Sequence, residues 1–234
     1  MLWNDDVLFI HVPKTGGMAT TKYLLDILEP PFIISVPEGH AEERPGLTII
    51  DGKRHERLDE AAMLLARHGR TLASFKIILA GIRNPYDLEI SRFGYLQKGH
   101  PWDRGKAQDL AMAGDFETFV REAAFHGKAY PALEEYYEIA GRIPENLRLI
   151  RQEYIDGDMK SALAEVGIRL TKKLPVTNVS QHGTREEYLT PVAERAIYER
   201  FHWFFDRGYY ERIVPARARD GFLKRLFRSY RRNG

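Results

Sequence analysis

A lysine and a pair of glycines follow a short apolar run near the start of the chain. The run Val7–Val12 is mostly β-branched or apolar, and the sequence then reads Pro-Lys-Thr-Gly-Gly up to Gly17. Two glycines after a strand let the backbone turn tightly and direct N–H groups at an anion, and the next helix adds partial positive charge. Lys14 adds a point charge for a phosphate or a departing oxygen. This order predicts a phosphate-binding loop, although an ordinary strand-to-helix turn stays open at this point.

A second junction of the same kind follows Phe75–Ile82, the run that best fits a buried strand. Arg83 ends this predicted buried strand, where an unpaired charge is costly. Ser91 lies about two turns along the helix that follows, so both side chains could address one anion. The alternative is that Arg83 pairs with Asp87 or Glu89 while Ser91 faces solvent. The coincidence with the first loop favours the anion site.

Strands and helices alternate along the chain, which predicts an α/β fold. The helical patterns begin at good start signals, such as Asn84 before Pro85, Asp158, and Thr190 before a proline. The last of these patterns predicts a helix from Thr190 to Tyr210. The pattern predicts a P-loop-like three-layer fold with a mostly parallel central sheet flanked by helices. In such sheets ligands bind at the carboxyl ends of strands, where Lys14 and Arg83 fall. The predicted strands are Val7–Val12, Phe32–Val36, Leu47–Ile50, Phe75–Ile82 and Leu147–Ile150.

Composition limits the classes of protein that fit. With 234 residues, 44% of them hydrophobic, the chain can bury a sizeable core, and we expect a single domain over residues 1–214. The sequence has no cysteine, which excludes disulfides and thiolate chemistry. No apolar run approaches the roughly 20 residues of a bilayer span, so we expect a cytoplasmic protein. The formal charge of +2 is close to balanced and argues against a nucleic-acid partner.

Two blocks of this sequence resemble a known family. "FIHVPKTGG" and "GIRNPYDLEISRFGYL" are similar to the two cofactor motifs of sulfotransferases that use 3′-phosphoadenosine 5′-phosphosulfate (PAPS). The likeness is strongest to the branch with H-[IV]-P-K-T-[AG]-G, which includes carbohydrate 2-O-sulfotransferases and bacterial relatives. A weaker third block, "LPVTNVSQHGTREEYLTP" with a later "FFDRGY", resembles the family's closing segment.

The resemblance implies a sulfotransferase that moves a sulfuryl group from PAPS to a hydroxyl, with a carbohydrate acceptor expected. It implies that no metal is required, and that Lys14 stabilises the departing phosphate oxygen. Arg83 and Ser91 would bind the 3′-phosphate, and the loop that contains Asn178 and Ser180 would close over the nucleotide. The residues implied at the 5′-phosphosulfate are Lys14, Thr15, Gly16, Gly17, Met18 and Ala19.

The loop departs from the family pattern directly after its two glycines. The family usually has Thr-Ser there, whose hydroxyls help bind the 5′-phosphate, whereas this chain has Met18 and Ala19. The backbone amides remain, and Thr15 and Thr20 are the nearby hydroxyls.

A hydroxyl acceptor needs a general base, and a histidine has the most suitable pKa. His55 lies between a predicted strand and a predicted helix, where related enzymes carry a catalytic histidine, and we favour it as the base. His40, in a glycine-flanked loop, is the second candidate. Glu38 and Glu56 are carboxylate alternatives. An exposed histidine at a helix start, without a catalytic role, is the competing interpretation of His55.

The last segment, residues 215–234, is a basic tail in which aromatic and apolar residues alternate with arginine and lysine. Such a pattern suits an anionic membrane surface or a partner protein. Packing of the tail on its own domain is the alternative.

Two further functions stay open from the sequence. A nucleotide-dependent phosphotransferase would need a Walker motif, G-x-x-x-x-G-K-[ST], and a Mg²⁺-binding carboxylate, and the first loop does not match that motif. A binding protein of the same fold without turnover is the other alternative, favoured by Met18 and Ala19.

Overall fold

A computed structural model describes residues 1–101, 104–125, 132–170 and 185–213. The chain divides into two compact units. The first comprises Met1–Arg92 and Pro131–Gln181, and the second comprises Phe93–Tyr130 and His182–Gly234. The predicted limits of the domain, 1–214, stay a prediction, and the basic tail lies outside the described residues.

A six-stranded sheet forms the centre of the first unit, with the order β4-β3-β1-β2-β5-β6 among the described residues. Parallel pairs join β2 to β5, β5 to β6, and β3 to β4, while β1 is antiparallel to both of its neighbours. The mostly parallel sheet flanked by helices confirms the predicted fold class. The strands are β1 (Leu2–Trp3), β2 (Val7–Ile10), β3 (Phe32–Val36), β4 (Leu47–Asp51), β5 (Ile77–Ile82) and β6 (Leu147–Arg151).

The helices of the first unit cover this sheet. Helices α1 (Gly17–Ile27) and α6 (Ile155–Glu165) share one core cluster with alternate residues of β2, such as Phe9. Leu8 and Ile10, which point to the opposite face, are also fully buried, so both faces are covered. Helices α2 (Leu58–Arg67) and α3 (Pro85–Leu96) follow β4 and β5.

The second unit is helical in its described part. An aromatic cluster of Phe93, Phe116, Phe119 and Tyr188 holds it together, with ring centroids 5.0–6.3 Å apart. Its helices are α4 (Lys106–Met112), α5 (Phe116–Glu122), α7 (Arg185–Tyr188), α8 (Pro191–Arg200) and α9 (His202–Asp206).

Two predicted helix boundaries were wrong. Asp158 does not cap α6, which begins three residues earlier. Its carboxylate instead accepts bonds from the backbone N–H and the guanidinium of Arg151, at 2.9 and 2.8 Å. The predicted helix from Thr190 to Tyr210 is interrupted at Phe201, whose buried ring packs against Phe125 and Phe204. Tertiary packing overrides the helical periodicity there.

Candidate functional site

The first loop has the strand, loop and helix order that the sequence predicted. Lys14 and Gly16 both adopt left-handed backbone angles, with φ of 65° and 80°. This conformation is uncommon for lysine, whereas glycine adopts it readily. The loop turns sharply between β2 and α1, with Gly16 as the N-cap residue of the helix. The amides of the first helical turn therefore begin at Gly17, three residues after Lys14.

Strand β5 packs very closely against the loop at Gly81. A Cβ atom placed on Gly81 would lie 2.4 Å from the Thr15 hydroxyl, so no larger residue fits there. The Thr15 hydroxyl in turn donates to the carbonyl of Val12 at 2.9 Å. Thr15 is only 2% exposed, so its hydroxyl supports the loop from inside the fold.

Arg83 joins the two junctions that the sequence singled out. Its Nη1 donates to the backbone carbonyl of Lys14 at 3.1 Å, which ties the end of β5 to the first loop. The neighbouring parallel strands β2 and β5 thus bring Lys14 and Arg83 to the same edge of the sheet. Glu89, one of the two carboxylates considered as partners of Arg83, is bound by Arg92 at 2.8–3.2 Å.

Helix α3 begins as the sequence predicted. The side chain of Asn84 accepts from the backbone N–H of Tyr86 at 3.0 Å, and the N–H of Asn84 donates to Glu153 at 2.7 Å. Ser91 lies on the buried side of this helix and is 6% exposed. Glu153, which sequence reasoning missed, fixes the start of α3 from the segment that follows β6.

His55 is anchored beside the loop by a long-range hydrogen bond. Its Nδ1 lies 2.8 Å from the backbone carbonyl of His11, and because a carbonyl only accepts, Nδ1 carries the proton. When the ring is neutral, its lone pair therefore lies on Nε2, as a general base requires. The rings of His11 and His55 meet edge to face, with centroids 4.6 Å apart.

His11 itself is packed inside the fold against Gly17. A Cβ on Gly17 would lie 2.0 Å from the imidazole, so the glycine is what admits the ring. Burial lowers the pKa of His11 well below its ordinary value of 6.5, and the nearby charges of His55, the N-terminal ammonium group and Arg54 lower it further. His11 is therefore neutral near pH 7.

Glu56, a carboxylate alternative for the base, is engaged in a buried cluster. It accepts from the Met1 ammonium group at 2.9 Å, from the backbone N–H of Lys53 at 2.9 Å, and from the Ser35 hydroxyl. Burial alone would raise its pKa, but the ammonium group and these hydrogen bonds hold the pKa below 4.5. His40 and Glu38 are both exposed on the loop after β3.

Two more of the predicted site residues belong to α1. Met18 is 55% exposed at the first turn, and Ala19 is half-buried beside it. Asn178 and Ser180 lie outside the described residues.

Within the described part of the chain, no group of three or more His, Asp or Glu side chains could hold a metal ion. No helix in the same residues is long and apolar enough to cross a bilayer.

Comparison with known proteins shows a likeness at the level of the fold. No protein-family model matches the sequence, and no curated protein matches it. Among solved structures, the chain is similar to mouse sulfotransferase SULT7A1 in a crystal structure complexed with PAP. The TM-score is 0.51 at 15% identity, over 97% of this chain and 89% of the mouse chain. The chain therefore has the fold of that sulfotransferase.

Proposed function

We propose that this protein is a PAPS-dependent sulfotransferase that transfers a sulfuryl group to a hydroxyl acceptor. The observation that carries the proposal is the bond between Arg83 and the Lys14 carbonyl, which joins the two candidate anion-binding junctions at one sheet edge. The fold, shared with a sulfotransferase whose structure was determined with PAP, gives independent support. PAP, adenosine 3′,5′-bisphosphate, is the product that such a transfer leaves.

The loop residues fit the donor's anionic end. Backbone amides at the start of α1 would bind the 5′-phosphosulfate, and Lys14 would stabilise negative charge on the phosphate oxygen as the sulfur–oxygen bond breaks. Arg83 and Ser91 would bind the 3′-phosphate. In-line transfer of a group with spread charge can proceed by positioning and cationic stabilisation, as for phosphoryl transfer.

His55 is the proposed general base. The acceptor oxygen would form a bond to sulfur while its proton passes to Nε2 of His55, the nitrogen opposite the one held by the His11 carbonyl. Glu56 is a weaker candidate, because its carboxylate already accepts three hydrogen bonds and its pKa is lowered. His40 remains the second choice.

A carbohydrate hydroxyl is the acceptor that we propose, and its support is the resemblance of "HVPKTGG" to the carbohydrate 2-O-sulfotransferase branch. The Asn178 to Ser180 loop is proposed to close over the nucleotide, on the same resemblance. A cytoplasmic location and a membrane or partner contact through the tail stay predictions from the sequence.

Ligand-induced thermal stabilisation tests the donor. We expect PAP to raise the melting temperature without added metal, and ATP with Mg²⁺ to have a smaller effect. If ATP with Mg²⁺ raised the melting temperature and PAP did not, the result would contradict the sulfotransferase proposal and favour a phosphotransferase.

Transfer of labelled sulfate from PAPS to a panel of glycans and small alcohols tests turnover. His55→Ala should lose at least about a hundredfold in rate, as expected for a general base, with PAP binding intact. His40→Ala is the matched control and should keep the rate. Full activity of His55→Ala would refute the base, and PAP binding without transfer by the wild type would favour the binding protein.

A further inference from the structure

Arg54 lies next to His55 and reaches across to the first turn of α1. Its Nη1 is 3.1 Å from the sulfur of Met18, and its Nη2 donates to the carbonyl of His40 at 2.6 Å. Both of these partners are uncharged, and within the described residues no carboxylate forms an ion pair with this guanidinium. The backbone of Arg54 is left-handed, with φ of 67°, which is uncommon for a residue with a side chain.

Met18 is a poor partner for such a cation. A thioether sulfur is a weak hydrogen-bond acceptor, whereas an anionic oxygen forms a short and strong charge-assisted bond with a guanidinium. Met18 is 55% exposed and directly follows Gly17. The guanidinium can therefore exchange the sulfur for a phosphate oxygen with a gain in interaction strength.

The charge of Arg54 also acts at the phosphate-binding loop. Burial is the main cause of the low pKa of His11, and the positive charge of Arg54 contributes to it. The His11 ring lies against Gly17, the first residue of α1. An anion bound by the amides of that turn would thus lie within the field of Arg54.

We propose that Arg54 is a further donor-binding residue, which contacts the 5′-phosphosulfate end of PAPS. It takes the role of the hydroxyls that Met18 and Ala19 lack, and it approaches from the side of His55. The His40 carbonyl holds one nitrogen of the guanidinium and leaves the other to exchange Met18 for the ligand. This inference rests on the proposed function.

Binding of two nucleotides that differ only in the 5′-phosphate tests the inference. Arg54→Gly removes the guanidinium and suits the left-handed backbone, so the fold should be retained, as the melting temperature will check. Its Kd for PAP should rise about tenfold relative to the wild type, while its Kd for adenosine 3′-phosphate should stay unchanged. Arg54→Gln provides the same comparison with a polar, uncharged side chain that is retained as far as Cδ.

Lys53→Ala is the matched control. It removes the same charge from the neighbouring position, but the Lys53 ammonium lies 2.7 Å from Glu60 and should not contribute to PAP binding. An unchanged Kd for PAP in both Arg54 variants would overturn the inference. An equal loss of affinity for both nucleotides in the Arg54 variants would also overturn it, and so would a loss of PAP affinity in Lys53→Ala as large as that in Arg54→Gly. Failure of the wild type to bind PAP is a separate result, which would contradict the proposed function itself.

Discussion

At the scale of single residues, the candidate site depends on glycines whose lack of a side chain leaves room for neighbouring residues. Gly17 leaves room for the His11 ring, and Gly81 leaves room for Thr15. The carbonyl of His11 then orients His55. A glycine in the candidate phosphate-binding loop thus helps to position the proposed base, through the histidine that packs on it.

Gly17→Ala tests this dependence. The added Cβ would overlap the His11 imidazole, so we expect a loss of about 1–3 kcal/mol in the free energy of unfolding, typical of overpacking. Transfer activity should fall with it, because His55 loses its anchor. Gly157→Ala in α6 is the control. Its Cβ meets nothing within 4 Å, and alanine should stabilise that helix by up to about 1 kcal/mol. A Gly17→Ala protein as stable as the wild type would contradict the argument.

At the scale of elements, the starts of two helices are fixed by residues that each bind two partners. Asn84 caps α3 while its own N–H is held by Glu153. Thr190 does the same in the second unit. Its hydroxyl accepts from the N–H of Ala193 at 3.1 Å and donates to Glu117 of α5 at 2.6 Å. The start of α8 is therefore tied both to its own first turn and to a neighbouring helix.

Thr190→Ala should cost about 1–2 kcal/mol in the free energy of unfolding, measured by urea denaturation, because it removes the N-cap and the bond to α5 together. Thr190→Ser keeps the hydroxyl and should retain most of the stability. A serine variant as unstable as the alanine variant would show that the methyl group matters rather than the cap.

At the scale of the whole molecule, the buried His11 couples stability to pH. Its folded pKa lies well below 6.5, so the unfolded chain binds a proton that the folded chain does not. This difference leaves stability unaffected above pH 6.5 and lowers it as the pH falls from there toward the folded pKa.

We expect His11 to contribute a loss of about 1.4 kcal/mol per pH unit in that window, measured by urea denaturation between pH 5 and 7.5. His11→Asn should show a shallower slope by that amount, whatever its absolute stability. His202→Gln, at an exposed position, should keep the wild-type slope. Equal slopes in the wild type and His11→Asn would refute the assignment.

The sequence by itself determined the local features of this protein. Apolar runs, glycines and helix start signals are read from neighbours in the chain. They therefore predicted the α/β class, the strand-loop-helix order at Lys14, and the start of α3 after Asn84. The two-residue strand β1 was missed because so short a run has no measurable period.

Only the tertiary structure decided which distant residues meet. Nothing local indicates that His55 bonds to the carbonyl of His11, that Glu56 is occupied by the Met1 ammonium group, or that Arg54 reaches Met18. Asp158 and Phe201 show the same limit, since long-range partners moved the helix ends there. Such contacts depend on how the sheet and helices pack, and a single sequence does not record that packing.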